Sequence, residues 1–242
     1  MSLPKAAFFN VFTRTDGPRR ETLRRERARL RTQSRSQTNA TPDRPKLILA
    51  SASPRRLTLL GQVGIEPDAL RPASIDETPK RGEMPRGLVT RLARTKAETA
   101  RDQIANDTDI ADAYVLAADT IVALGRRILG KPADDGQARA MLTSLSGRTH
   151  RVLSAVALWT GTRRFEALNL SHVRFAALPA RVIDAYVASG EPFGKAGAYA
   201  IQSALAGWIE RIDGSHSGIM GLPLAETAAL LRRAKVAHSL SA

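Results

Sequence analysis

The chain has 242 residues, 43% of them hydrophobic, which is long enough for one large domain or two small lobes around a real core. It contains no cysteine, which excludes disulfides, thiolate metal sites and a cysteine nucleophile. No apolar run approaches the roughly 20 residues of a membrane span, and the formal net charge of +14 raises the question of a nucleic-acid partner.

The basic excess lies mainly at the beginning of the chain. Residues 1–46 hold 12 Lys/Arg and 4 Asp/Glu, a net charge of +8. We predict a flexible basic extension over residues 1–44, with a transient helix near 21–31 and no part in the chemistry, followed by one domain over 45–242. The basic residues are not interleaved with aromatic ones, which argues against nucleic-acid binding. With no signal-peptide core and no membrane span, we expect a cytoplasmic protein.

The first predicted strand and helix suggest an anion site. The apolar run 47–50 predicts a buried strand, Ser53 is suited to cap the following helix, and Pro54 suits its first position. Arg55 and Arg56 add guanidinium donors to the free N–H groups of this helix start. An ordinary capped helix with solvated arginines is an equally good interpretation of this segment alone.

The middle of the chain continues an α/β pattern. A helix is predicted from 85 to about 105, and the apolar run 114–118 predicts a strand that ends at Asp119 and Thr120. An Asp at a strand end can bind magnesium or accept a proton, although a simple turn residue is the commoner case. The alternative is that residues 121–123 continue this strand into a hairpin at 124–127.

A glycine-rich pattern in the hairpin region imitates a phosphate-binding loop. Residues 125–131 match the first seven positions of a P-loop, but Pro132 replaces the required Ser or Thr. The segment also lies in a predicted hairpin rather than between a strand and a helix, so we reject a P-loop. Lys131 remains a candidate for a single phosphate contact.

The remaining elements complete an α/β domain. Helices are predicted at 134–147, 179–188 and 222–231, with strands at 151–159 and 171–178, while residues 194–202 are too rich in Gly and Ala to assign. The four histidines do not have metal-ligand spacing, and there is no nucleophile-elbow motif for a serine triad.

The order of eight short segments resembles the Maf family of nucleoside triphosphate pyrophosphatases. The matching segments are 51–56 (SASPRR), 75–78 (IDET), 91–97 (RLARTKA), 118–120 (ADT), 130–132 (GKP), 145–150 (LSGRTH), 195–202 (KAGAYAIQ) and 221–224 (GLPL). The resemblance implies a Maf-like fold, related to the inosine triphosphatase type, with a mixed sheet flanked by helices and two lobes around a cleft.

The resemblance also implies a reaction and a set of residues. The reaction is hydrolysis of a nucleoside triphosphate to the monophosphate and pyrophosphate with a divalent cation, Mg²⁺ or Mn²⁺. It implies Asp119 as the proton acceptor, with Glu77 and Lys131 as further catalytic residues and Glu77 and Asp119 as metal ligands. The phosphate contacts that it implies are Ser51, Arg55, Arg56 and Lys131, with Lys96 completing the polar cleft.

Base preference is implied by a smaller part of the pattern. Residues 195–202 resemble the branch of the family that acts on dTTP and UTP, and Arg56, Thr120 and Gln202 occupy positions linked to base selection. Ala117, Ala200 and Ser203 stand where glycine is common. The alternatives are a 7-methyl-GTP pyrophosphatase on the same scaffold, or a basic nucleic-acid-binding or division-regulating protein. A homodimer is compatible with this interpretation.

Overall fold

The computed structural model describes residues 45–236, which belong to one compact unit. The predicted basic extension over 1–44, with its helix near 21–31, lies outside the described residues. The described chain forms a mixed sheet of seven strands with helices on both faces, which confirms the predicted α/β class and the mixed sheet flanked by helices.

The secondary structure alternates between strands and helices for most of the chain. The strands are β1 (Leu47–Leu49), β2 (Ala69–Leu70), β3 (Tyr114–Leu124), β4 (Arg127–Leu129), β5 (Thr149–Trp159), β6 (Arg164–Phe175) and β7 (Ile209–Asp213). The α-helices are α1 (Pro54–Gln62), α2 (Pro85–Ile104), α3 (Asp135–Leu145), α4 (Ala180–Ala188), α5 (His216–Met220) and α6 (Leu224–Arg233). Two 3₁₀ turns, Ala196–Ala198 and Ala204–Trp208, connect α4 to β7.

The sheet has the order β2-β1-β3-β5-β6-β7, and β4 pairs with β3 in addition. Strands β1, β2 and β3 are parallel, whereas β4, β5, β6 and β7 each run antiparallel to the strand they extend. The long antiparallel pairs of β3 with β5 and of β5 with β6 form a rigid centre, because their ladders run nearly the full length of the strands.

Side chains of β3 alternate between the two faces of the sheet, as strand geometry requires. On one face Val115, Ala117 and Ile121 pack against the buried stripe of α2. On the other face Leu116 and Ala118 pack with α1 and α6, while Val122 packs with α3 and α4. These two helix groups on the second face share one sheet, and the division into two lobes around a cleft stays a prediction.

Asp119 lies in the middle of β3, because the strand continues through residues 121–123. The prediction that Asp119 stands at a strand end is therefore wrong, and the alternative of a longer strand is confirmed. On one side β3 is paired without interruption to β5. On the other side β1 pairs only as far as Leu116 and β4 only from Val122 onward. Residues 117–121 are therefore left without a strand neighbour there among residues 45–236. Asp119 is therefore buried beside a gap in the sheet and not at a strand end.

The rejected P-loop is also confirmed to be a hairpin. Gly125 lies in the tight turn between β3 and β4 with a φ of 59°, a left-handed conformation that favours glycine. Gly130 and Lys131 follow β4 and precede α3, whose first turn is capped by the Asp134 carboxylate accepting from the Gln137 N–H at 2.7 Å.

Candidate functional site

A cavity of about 470 Å³ opens beside the gap in the sheet. The structure brings all nine residues that the sequence singled out to its wall: Ser51, Arg55, Arg56, Glu77, Lys96, Asp119, Thr120, Lys131 and Gln202. Because the gap exposes β3 edge-on, Asp119 from one face of the sheet and Thr120 from the other both reach the same cavity. The proximity of these residues is observed here, and their individual roles remain predictions.

The cavity wall contains two chemically different groups of residues. The group that we call the charged end comprises Ser51, Arg55, Arg56, Glu77, Lys96, Asp119 and Lys131. The group that we call the neutral end comprises Thr120, Gln202 and Gly221, and it adjoins the charged end where Arg56 donates to the Gly221 carbonyl.

Lys96 organises the carboxylates of the charged end. It is only 8% exposed and lies on the buried stripe of α2, one turn beyond Leu92. Its Nζ donates to Asp119 Oδ1 at 2.5 Å and to Glu77 Oε1 at 2.6 Å. Both carboxylates are held by one ammonium group. Since Asp119 is 6% exposed, this contact also provides the charge partner that a buried carboxylate requires.

Glu77 is shared between two lysines. Its second oxygen, Oε2, accepts from the Nζ of Lys131 at 2.9 Å. Partial burial raises the pKa of Glu77, but hydrogen bonds from Lys96 and Lys131 outweigh that effect and lower the pKa to about 2. Glu77 is therefore ionised throughout the physiological range.

The start of α1 supplies donors to the charged end. Helix α1 begins at Pro54 after Ser53, as predicted, but the Ser53 side chain makes no capping hydrogen bond. Instead the Ser51 hydroxyl accepts from the Ser53 N–H at 3.1 Å and from Arg56 Nη1 at 3.2 Å. With both acceptor positions of its oxygen used, Ser51 has its own proton to donate to a ligand.

Two arginines are oriented by backbone carbonyls from the end of α5. Arg56 Nε donates to the Gly221 carbonyl at 2.8 Å, and Arg55 Nε donates to the Met220 carbonyl at 3.4 Å. Burial lowers the pKa of Arg56, an effect opposed by Asp119 and Glu77. A guanidinium remains protonated in proteins, so the charge persists. These contacts leave other guanidinium N–H groups for an anion.

The neutral end depends on a close approach of backbone to side chains. Gly221 has a φ of 125°, and a Cβ added there would lie 3.5 Å from Arg56 Nε and 3.8 Å from Thr120 Oγ1. A side chain at this position would be both strained and in contact with the site. Gln202 is exposed to the cavity from the irregular segment that follows the first 3₁₀ turn.

A divalent cation would find two carboxylates at this site. Among residues 45–236 there is no group of three or more His, Cys, Asp or Glu side chains arranged to hold a metal ion. Mg²⁺ and related ions are commonly held by one or two carboxylates together with substrate phosphates and water. The Glu77 and Asp119 carboxylates, which converge on the same lysine nitrogen, fit that mode of binding.

Several cavity residues were not identified from the sequence. Lys195 and Phe193 lie in the segment before the first 3₁₀ turn and line the wall, and Gly221 shapes the neutral end. Lys195 and Gly221 belong to the matched segments 195–202 and 221–224, so their position in the pattern was the available signal. Phe193 lies outside the matched segments, and from sequence alone an isolated aromatic residue is more often interpreted as part of the core.

The charge balance of the cavity defines the class of ligand. Arg55, Arg56, Lys96, Lys131 and Lys195 line it with only two carboxylates, Glu77 and Asp119. An α/β protein with such a cavity, whose wall also contains the Ser51 and Thr120 hydroxyls and the Gln202 amide, is suited to a phosphorylated ligand that also has a neutral portion.

Comparison with known proteins defines the family. Residues 46–234 match the model of the Maf-like protein family, and the chain belongs to that family. Proteins named dTTP/UTP pyrophosphatase are similar in sequence. The protein of Rhodopseudomonas palustris (strain BisB5) is 55% identical over 189 residues, which cover 78% of this chain and 91% of that protein. The protein of Gluconobacter oxydans (strain 621H) is 54% identical over 196 residues, covering 79% and 88%.

Among solved structures, a HAM1 protein from Coxiella burnetii is similar with a TM-score of 0.40 and 19% identity, over 56% of this chain and 75% of that one. Within residues 45–236, no helix has the length and apolar character needed to cross a membrane.

Proposed function

We propose that the protein is a nucleoside triphosphate pyrophosphatase that hydrolyses dTTP and UTP, and modified pyrimidine nucleotides, to the monophosphate and pyrophosphate. The observation that carries this proposal is the carboxylate of Asp119, held by Lys96 in a cavity whose other charged residues are mostly cations. The names of relatives that are 50% or more identical over most of their length support the same activity.

In the proposed reaction a water molecule attacks the α-phosphorus of the triphosphate. Asp119 accepts the proton of that water, the bond from the α-phosphorus to the bridging oxygen breaks, and pyrophosphate leaves with the electron pair. Lys96 holds Asp119 through Oδ1, which leaves the second carboxylate oxygen to face the water. We assign Glu77 and Lys131 as further catalytic residues, because Glu77 accepts from Lys96 and Lys131 and so continues the hydrogen-bonded chain that begins at Asp119.

The cations of the charged end stabilise the charge that develops on the phosphates. The guanidinium groups of Arg55 and Arg56 and the ammonium of Lys131 have fixed positions before the ligand arrives, which is the condition for effective electrostatic catalysis. The Ser51 hydroxyl adds a neutral donor. These groups bind the product pyrophosphate as well as the substrate.

Glu77 and Asp119 would hold the proposed Mg²⁺ or Mn²⁺, as ligands that complement the phosphate oxygens. When bound, such a cation offsets phosphate charge and polarises the phosphoryl group. Lys96 keeps the two carboxylates close together despite their like charges.

The base lies at the neutral end in this proposal. The amide N–H of Gln202 can donate to a pyrimidine carbonyl, and uracil and thymine have a C4 carbonyl where cytosine has an amino group, so this contact suits uracil and thymine better than cytosine. The names of the relatives favour dTTP and UTP over the alternative of 7-methyl-GTP. A cytoplasmic location and a homodimer remain predictions.

The direct test is pyrophosphate release from dTTP, UTP, CTP, GTP and 7-methyl-GTP with Mg²⁺ or Mn²⁺, with the nucleotide products identified. Formation of monophosphate from dTTP and UTP is the expected result. Turnover of 7-methyl-GTP alone would assign the protein to the alternative activity.

A lack of turnover with every nucleotide would favour the basic binding protein instead. Deletion of residues 1–44 separates these functions. The deletion leaves a pyrophosphatase active, whereas it removes salt-sensitive DNA affinity from a protein that binds through its basic extension.

A further inference from the structure

A buried serine next to the cavity has a hydrogen-bonding arrangement that fixes the polarity of Thr120. Ser154 lies on β5 directly opposite Thr120 on β3, and it is 1% exposed. Its Oγ lies 2.8 Å from Thr120 Oγ1 and 2.6 Å from the carbonyl oxygen of Gly218 in α5. Ser154 does not line the cavity itself.

The positions of the hydroxyl protons follow from counting donors. A carbonyl oxygen only accepts, so the single proton of the Ser154 hydroxyl is donated to the Gly218 carbonyl. The hydrogen bond between the two hydroxyls must then use the other proton, and Thr120 is its donor. Because a hydroxyl has one proton, Thr120 has only lone pairs to present to the cavity.

The Gly218 carbonyl is fixed in the backbone of the site. It also accepts from the Gly221 N–H at 3.0 Å, within the turn that places the Gly221 carbonyl on Arg56. The carbonyl therefore cannot turn away from Ser154 without opening the end of α5. In this buried environment an unpaired hydroxyl is costly, so the direction of the whole chain of hydrogen bonds is stable.

We propose that Ser154 is a positioning residue that makes Thr120 an obligatory hydrogen-bond acceptor, and that this arrangement selects a base with an N–H at ring position 3. This inference rests on the proposed function. Uracil and thymine carry a proton on N3, whereas cytosine has a lone pair there. A Thr120 hydroxyl that can only accept pairs with the N3–H of uracil or thymine and is repelled by the N3 lone pair of cytosine. The selection depends on proton direction and requires no charged residue.

The test compares substrate selectivity in Ser154→Ala and the unchanged protein. The readout is the ratio of kcat/KM for UTP to that for CTP. Without Ser154 the Thr120 hydroxyl is free to turn its proton to the cavity, so we expect this ratio to fall about tenfold. The ratio for UTP to 4-thio-UTP should remain unchanged, because both bases carry the N3 proton.

Two further variants separate a positioning role from a merely structural one. Ser154→Thr keeps the hydroxyl and should restore the UTP to CTP ratio. Ser144→Ala removes a serine hydroxyl that bonds to the Met141 carbonyl in α3, away from the cavity, and should change neither ratio. A structural defect would instead lower kcat/KM for all three nucleotides together.

Each outcome has a distinct meaning. Equal turnover of UTP and CTP by the unchanged protein, or an unchanged ratio in Ser154→Ala, would overturn the role of Ser154 while leaving the proposed pyrophosphatase intact. A failure of the unchanged protein to release pyrophosphate from UTP would instead remove the proposed function. A fall in the UTP to CTP ratio with an unchanged UTP to 4-thio-UTP ratio would support the inference.

Discussion

The two ends of the cavity offer a ligand different hydrogen-bonding groups, and each hydroxyl owes its role to different neighbours. At the charged end, lysines and arginines surround two carboxylates, and the Ser51 hydroxyl has a proton to give because its oxygen already accepts two hydrogen bonds. At the neutral end, the Thr120 hydroxyl can only accept a hydrogen bond from a ligand, because its proton is already donated to Ser154. The same functional group is thus a donor at one end and an acceptor at the other.

This difference separates the kind of recognition that each end provides. Fixed charge at the first end attracts any triphosphate, whatever its base. In the proposed function, hydrogen-bond direction at the second end distinguishes bases of nearly identical shape. Substitutions at the charged end should therefore affect all nucleotides alike, whereas substitutions at the neutral end should change the ranking of nucleotides.

The largest expected effect belongs to Asp119. In Asp119→Asn we expect kcat for UTP to fall by about 10³-fold with KM little changed, because a general base is lost while the phosphate-binding cations remain. Steady-state pyrophosphate release measures both constants. The exposed Asp112, outside the cavity, gives the control Asp112→Asn, which should behave as the unchanged protein. Near-normal kcat in Asp119→Asn would remove Asp119 as the proton acceptor.

A comparison of the two lysines tests the organisation of the charged end. Lys96→Met leaves two carboxylates near each other without their shared partner, and we expect kcat to fall about 100-fold for every nucleotide. Lys131→Met removes a more exposed ammonium that contacts only one of them, so a loss of about tenfold is expected. Equal losses in both variants would contradict the central position of Lys96.

At the neutral end, Gln202→Ala should alter selectivity more than overall rate. We expect kcat/KM for UTP to fall about tenfold while that for GTP changes little, because one base-specific hydrogen bond is removed. The measurement is the same pyrophosphate assay with both nucleotides. An equal loss for UTP and GTP would show that Gln202 does not contact the base.

The core contains a pH-sensitive group that contacts Tyr199 of the cavity wall. His150 is 1% exposed, its Nε2 lies 2.7 Å from the Tyr199 hydroxyl, and burial lowers its pKa to about 4. The unfolded chain takes up this proton near pH 6.5, so the stabilising effect of the neutral ring is complete above that pH and is lost as the pH falls toward 4.

We expect the free energy of unfolding to decrease by about 2 kcal/mol from this residue between pH 7 and pH 5. Urea unfolding at these two pH values measures the change. His150→Phe cannot take up a proton and should show a correspondingly smaller difference, even if its absolute stability is lower. The same pH dependence in both proteins would exclude His150 as its source.

The sequence was sufficient for the parts of the fold that depend on local patterns. The helix start at Pro54, the long helix Pro85–Ile104 and the strand around Asp119 have strong hydrophobic patterns and punctuation by Pro or Gly. Strand β7 and the short helix α5 were not predicted. Both are short, and β7 is mostly exposed, so hydrophobic periodicity gives little signal there.

The site residues were found as a set, but their contacts were not. The matched segments identified Lys96, Glu77 and Asp119. That both carboxylates accept from the Lys96 nitrogen depends on how α2 packs against β3 beside the gap in the sheet. Ser154 was missed for a related reason. Its role arises from the register of β5 with β3 and from a carbonyl 64 residues away in the sequence.

The central claim is attack of water on the α-phosphorus, with the phosphates at the charged end and the base at the neutral end. Hydrolysis of UTP in ¹⁸O-labelled water, followed by mass spectrometry of both products, tests it most directly. The account predicts that the label appears in UMP and that the pyrophosphate is unlabelled. Label in the pyrophosphate, or formation of UDP and phosphate, would contradict the account.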